Sequence, residues 1–204
     1  MLSFKEYLLE SDTETNPVHV DTYHGSGKLF KKFEQRHARI EHDHMGGGVG
    51  YFTDDKDVGK SYANHMAKYH KTNTPYLYHT GLKMNNVFDV DHKFSGEKLK
   101  KLLPHPSKHE DFARGAGLLK LGADKYDILA KLKTGSANLK GHEVFNGLSR
   151  ALGGTSRARD HLIKNGYDGL RYNGGDNMDA KRHNVYIPYN ADSIKINKIT
   201  TWKK

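Results

Sequence analysis

The chain contains no cysteine, which excludes a disulfide framework and any zinc site built on thiolates, and accords with a reducing compartment. Proline is scarce, five in 204 residues, and tryptophan occurs once. No apolar run reaches the roughly 20 residues that a membrane helix needs, and only 35% of the residues are hydrophobic. Acidic residues are outnumbered, 24 against 33 lysines and arginines, which leaves a formal charge of +9. The 14 histidines add positive charge at mildly acid pH. Such a balance favours polyanionic partners, nucleic acid first, with a merely solubilising basic surface as the plainer reading. The length suits one domain with a real core, with room for an insertion.

Glycine, by contrast, is concentrated in one place. The stretch GGGVGYFTDDKDVGKSYA, residues 46–63, runs from glycines into Tyr51 and Phe52, through an acidic turn, and into a helical pattern that carries Tyr62. It is not a nucleotide-phosphate loop. The spacing GxxxxGK[ST] is missing, and no apolar strand precedes Gly46 as a dinucleotide fingerprint requires.

Around this stretch the chain alternates between strand and helix signals. VHVDTYHGS, from Val18, alternates as a strand and ends at His24-Gly25-Ser26. The segment from Gly27 to Met45 is polar and reads as loop with a little helix. GVGYFTDD reads as a short strand and turn, DVGKSYANHMAKYHK as a helix, and PYLYHTGLKMNNVFDV as aromatic, β-branched strands. Residues 95–152 turn lysine-, leucine- and alanine-rich, with helical spacing in DKYDILAKLK and HEVFNGLSRAL: a helical insertion. TSRARDHLIKNGYDGLRY predicts a helix capped by Thr155 or Ser156, stopped at Gly166 and followed by a strand. NVYIPYNADSIKINKIT closes the chain as two strands joined by a turn. His37, His42 and His44 fit no metal-ligand frame, so no metal is expected. The lysine-rich helices read as a solvated face.

Residues 1–10, MLSFKEYLLE, form an amphipathic pattern, and 11–19 a polar linker. The opening lacks the basic start and long apolar run of a secretory signal. It resembles the N-terminal capsid-targeting peptides of internal head proteins of large tailed phages, which the prohead protease removes after a Leu/Ile-x-Glu motif. Leu8-Leu9-Glu10 matches that motif. The resemblance implies cleavage between Glu10 and Ser11, a place inside the virion, and later delivery to the host cytoplasm. An ordinary first helix is the alternative.

Three segments in order, Tyr23-His24-Gly25-Ser26, then G-x-G-Tyr51-Phe52-Thr53 with Tyr62 eleven residues on, then NGYDGLRY…NVYIPYNADSIKI, resemble the ADP-ribosyltransferase superfamily. The likeness is to the branch of poly-ADP-ribose polymerases, diphtheria-type toxins and transferase domains of phage polyvalent proteins. It covers roughly residues 20–91 and 156–197 and leaves the helical insertion unmatched. The resemblance implies an α+β fold, two small packed sheets forming a split β-sheet core over residues 20–204, with NAD as substrate in the cleft. It implies that Tyr51 and Tyr62 flank the nicotinamide, with Phe52 beside them. The Gly25 backbone would meet the carboxamide, and His24 would bond a hydroxyl of the adenosine-side ribose. Ser26 would bond the amide or steady the turn, and glycines 46–50 would let the chain pass beside the ligand. The plain alternatives are a strand-end histidine satisfied by backbone, and a Tyr62 that merely packs its helix.

One departure stands out. The family's catalytic glutamate opens the last motif, and this chain has Val185 there, preceded by Asn184. Valine neither accepts a hydrogen bond nor carries charge. Three readings follow: mono-ADP-ribosylation with an acid supplied by the acceptor, substitution by Asp176 or Asp179 in the NGGDNMDAKR loop, or NAD or ADP-ribose binding without chemistry. The acceptor expected is a host protein or nucleic acid. The reading from another class is a basic, non-catalytic internal head protein that binds packaged DNA.

Overall fold

A computed structural model describes residues 17–34, 45, 47–175 and 182–202. Residues 1–10 with the Glu10–Ser11 junction, His37, His42, His44, Gly46, Asp176 and Asp179 lie outside the described residues.

Alternation in VHVDTYHGS becomes strand β1 (Val18–Ser26). It runs antiparallel to β3 (Tyr76–Met84) along its whole length, from Val18 opposite Met84 to Ser26 opposite Tyr76. Between them come β2 (Phe52–Thr53) and helix α1 (Lys56–Tyr69). Asp55 caps α1, its side chain accepting from the N–H groups of Asp57 and Val58, so the acidic turn read from sequence is the helix start. β4 (Val87–Asp89) and β5 (Lys93–Phe94) lead into the helical region. That region contains α2 (Gly96–Leu102), α3 (His109–Gly115), α4 (Lys125–Thr134), β6 (Leu139–Lys140) and α5 (Gly141–Leu152). Helix α6 (Thr155–Lys164), β7 (Gly169–Gly174), β8 (His183–Pro188) and β9 (Ile194–Thr201) follow.

The strands form a seven-stranded sheet in the order β4-β7-β8-β2-β1-β3-β9 and a small β5–β6 pair. Among the described residues only β4 and β7 run parallel. With six helices among the described residues, this is an α+β architecture. Two small packed sheets were expected; one sheet is found, continuous through β2. It narrows there to two residues, with a single residue pair to β1 (Tyr23–Thr53) and two to β8. The closing strands β8 and β9 are joined by a turn at Ala191–Ser193, yet β9 crosses to the far edge beside β3. The cap of α6 is Gly154, not Thr155 or Ser156, because the helix already begins at Thr155.

Two cores hold the layers. Phe52, Leu82, Met84, Val87 and Tyr186 fill one side of the sheet, with Val18, Val20 and Phe33 packed on them. The larger core joins Phe88, Leu170, Ile187 and Tyr189 of the sheet region to Leu99, Phe112, Leu132, Phe145, Leu148 and Leu162 of the helices. The helical insertion therefore shares its core with the sheet and is not a separate unit. At the far edge Trp202 donates from Nε1 to Asn64 Oδ1 of α1, at 3.3 Å.

Candidate functional site

At Gly25 the backbone of β1 lies directly against the backbone of α1. A methyl group on Gly25 would stand 2.9 Å from the carbonyl carbon of Tyr62 and would overlap the Ala63 nitrogen and Gly59 oxygen. Gly59 is matched to the same contact: a methyl there would sit 2.8 Å from the Tyr23 Cβ. Glycine at position 25 is thus required by strand–helix packing, which in turn fixes Tyr62 over the strand end. Tyr62 is 59% exposed, and Tyr51, entering β2, is 40% exposed.

His24 ties Tyr51 to the same place. Its Nδ1 lies 2.8 Å from the Tyr51 carbonyl oxygen. A carbonyl only accepts, so Nδ1 carries the proton and a neutral His24 keeps Nε2 as an acceptor. Neutral is the favoured state. Part of residue 24 is accessible, but its ring packs on Phe30, Phe33, Phe52 and Tyr78, with centroids 5.1 to 6.1 Å away. That burial lowers the imidazole pKa below its usual value, opposed by the bond to Tyr51. The Tyr78 hydroxyl completes the cage by accepting from the Phe30 N–H at 2.7 Å while the two rings stack. Burial raises the Tyr78 pKa.

The structure thus brings His24, Gly25, Tyr51 and Tyr62 together at one strand end. Phe52 stands apart from them: it is 1% exposed, in the core beneath His24. Ser26 steadies the turn, its hydroxyl donating to the Lys28 carbonyl at 2.9 Å and accepting from the Lys28 N–H at 3.0 Å. The glycine run makes protein contacts. A methyl on Gly48 would overlap the Ile187 side chain and stand 2.7 Å from the Pro188 oxygen, and one on Gly50 would meet the His24 ring at 3.4 Å. Gly48 and Gly50 thus pack closely on β8 and on the imidazole.

Val185 lies in β8 opposite both Thr53 of β2 and Tyr172 of β7, and is buried. Tyr23, Thr53, Val185 and Tyr172 form one row across the sheet. Sequence reasoning missed the acid beside this row. Asp54 Oδ1 accepts from the Asn184 N–H at 2.9 Å and Oδ2 from the Asn184 amide at 2.6 Å. Both carboxylate oxygens are engaged, so Asp54 braces β8. On the other strand of the pair, Asn173, opposite Asn184, is held in the same way by Asp91 Oδ2, at 2.9 and 2.8 Å. Tyr186 has its hydroxyl pKa raised, first by burial and then by the charge of Asp54, with Arg171 opposing. Arg171 also pairs with Asp89. No local pattern announces braces that span 82 and 130 residues. The cage was signalled only by Phe30 and Phe33 standing in a lysine-rich stretch.

Among the described residues no cluster of histidine and carboxylate side chains is arranged to hold a metal ion. Comparison of the chain with family models, curated proteins and solved structures finds no match.

Proposed function

We propose that the chain is an NAD-dependent mono-ADP-ribosyltransferase whose core is the sheet that narrows at β2. The observation that carries this reading is the meeting of His24, Gly25, Tyr51 and Tyr62, drawn from three elements, at the end of β1. Two exposed tyrosine rings suit a flat cationic ring, each stack contributing about 0.5–1.5 kcal/mol beyond buried area, with a cation–π term in addition. The Nε2 acceptor of a neutral His24 suits a ribose hydroxyl. In the transfer, the bond between nicotinamide N1 and ribose C1′ breaks and its electron pair leaves with nicotinamide. The acceptor's nucleophile bonds to C1′, and its proton passes to the acceptor's own acid or to solvent. With Val185 unable to stabilise the positive charge that develops, and Asp54 engaged by Asn184, an acid from the acceptor takes that role.

The sequence at Leu8-Leu9-Glu10 extends the proposal to an enzyme packaged in a phage head and injected into the host, whose protein or nucleic acid it modifies. The test is release of nicotinamide with transfer of label from NAD to a component of a bacterial lysate. Tyr51→Ala is expected to weaken NAD binding by about 1–3 kcal/mol in calorimetry while Tyr51→Phe keeps most of it. NAD binding with no transfer to any acceptor would instead favour a binding domain without chemistry. Neither binding nor transfer would overturn the reading.

A further inference from the structure

The helical layer carries more than its share of the positive charge. Residues 95–152 hold eleven lysines and arginines against six acids. Where α5 ends, α6 begins and α3 starts, the three elements enclose an open cleft of about 540 Å³. Lys108, Arg150 and Arg157 line it, with Asp111 as the one acid and Gly153 at the corner. None of these cations is in an ion pair among the described residues, whereas Arg114 and Lys125 nearby are both tied to Glu110. Arg157 is held in place, its Nη1 donating to the Leu152 carbonyl at 3.1 Å, and a guanidinium so fixed retains four further N–H donors.

We infer that this cleft seats the backbone phosphates of a nucleic-acid strand, with Arg150 and Arg157 as forked donors and Lys108 as a point charge. Two guanidinium groups match phosphate oxygens bidentately, which a lysine surface does not. The cleft is open to solvent, so a strand can cross it without threading, and Asp111 faces it as an acceptor for a sugar hydroxyl or base N–H. The inference does not depend on the transferase reading, and its test uses no NAD.

The experiment titrates a labelled oligonucleotide duplex with the full chain over a series of salt concentrations. Arg150→Gln with Arg157→Gln is expected to lower affinity at least about tenfold, and to reduce the slope of log K against log salt by about two, near 0.9 per phosphate contact. Lys83→Gln with Lys195→Gln, on β3 and β9, removes the same charge elsewhere and is expected to change affinity less than about threefold. If Arg157→Gln impairs folding, Lys108→Gln with Arg150→Gln replaces it with the same expectation. Equal losses in the cleft and strand variants would overturn the inference in favour of bulk charge. Duplex binding that ignores the cleft substitutions, while they abolish binding of inorganic phosphate or ATP, would overturn it in favour of a free-phosphate site.

Discussion

Gly25 meets α1 through backbone atoms on both sides, and backbone cannot rotate away as a side-chain tip does. Gly25→Ala is therefore expected to destabilise the fold by about 1–3 kcal/mol, the usual range for overpacking, read as a lowered thermal midpoint. It should also displace Tyr62, so NAD affinity should fall in whatever fraction stays folded. His24 gives a second residue-scale expectation. Its folded pKa lies below the unfolded value of about 6.5, because burial disfavours the cation. The unfolded chain thus takes up the proton first. Stability is fully present above about pH 6.5 and is lost as the pH falls from there through the lowered folded pKa. His24→Phe, which keeps an aromatic ring in the cage, should flatten the fall in thermal midpoint between about pH 7 and 5. His79, also lowered by burial, is present in both proteins and cancels in the comparison. Motif order in the sequence pointed to His24, Gly25, Tyr51 and Tyr62, which the fold brings to one strand end. It could not disclose that Gly25 serves α1, since that contact depends on how the helix is docked.

At the scale of elements, β2 is the narrow point. Two residues cannot hold β8 firmly by ladder bonds alone, and the Asp54–Asn184 brace extends their grip beyond Thr53. Asp54→Ala removes a charged acceptor from two donors and leaves the partly buried Asn184 N–H without its partner. The expected cost is about 1.5–3 kcal/mol, measured by denaturant unfolding, and Asp54→Asn should recover part of it. Longer elements were legible because their signals repeat. Helix α1 combines a capping aspartate with a periodic face, α4 does the same with Asp124, and β1 alternates over nine residues. The β5–β6 pair was not legible, since its strands have two residues each and no glycine run beside them like the one that precedes β2. The crossing of β9 to the far edge was hidden for another reason: a turn fixes where a chain reverses, not which strand it then finds.

For the whole molecule, the decisive feature is the core shared by Leu170 and Ile187 with Phe112, Phe145, Leu148 and Leu162. Leu148→Ala, at a fully buried position of α5, should cost about 2–5 kcal/mol. Because sheet and helices share that core, helical circular dichroism and exchange of the β1–β3 amides should lose stability together, in one transition. Two separated transitions would mean that residues 95–152 fold alone. The same connectedness reaches the opposite edge, where the Trp202 indole is tied to Asn64, on the helix that carries Tyr62. The chain has a single tryptophan beside twelve tyrosines, so emission excited at wavelengths beyond tyrosine absorption comes from one fluorophore anchored to that helix. A shift of α1 on addition of NAD would register in the colour and yield of this emission, giving an optical readout that needs no dye.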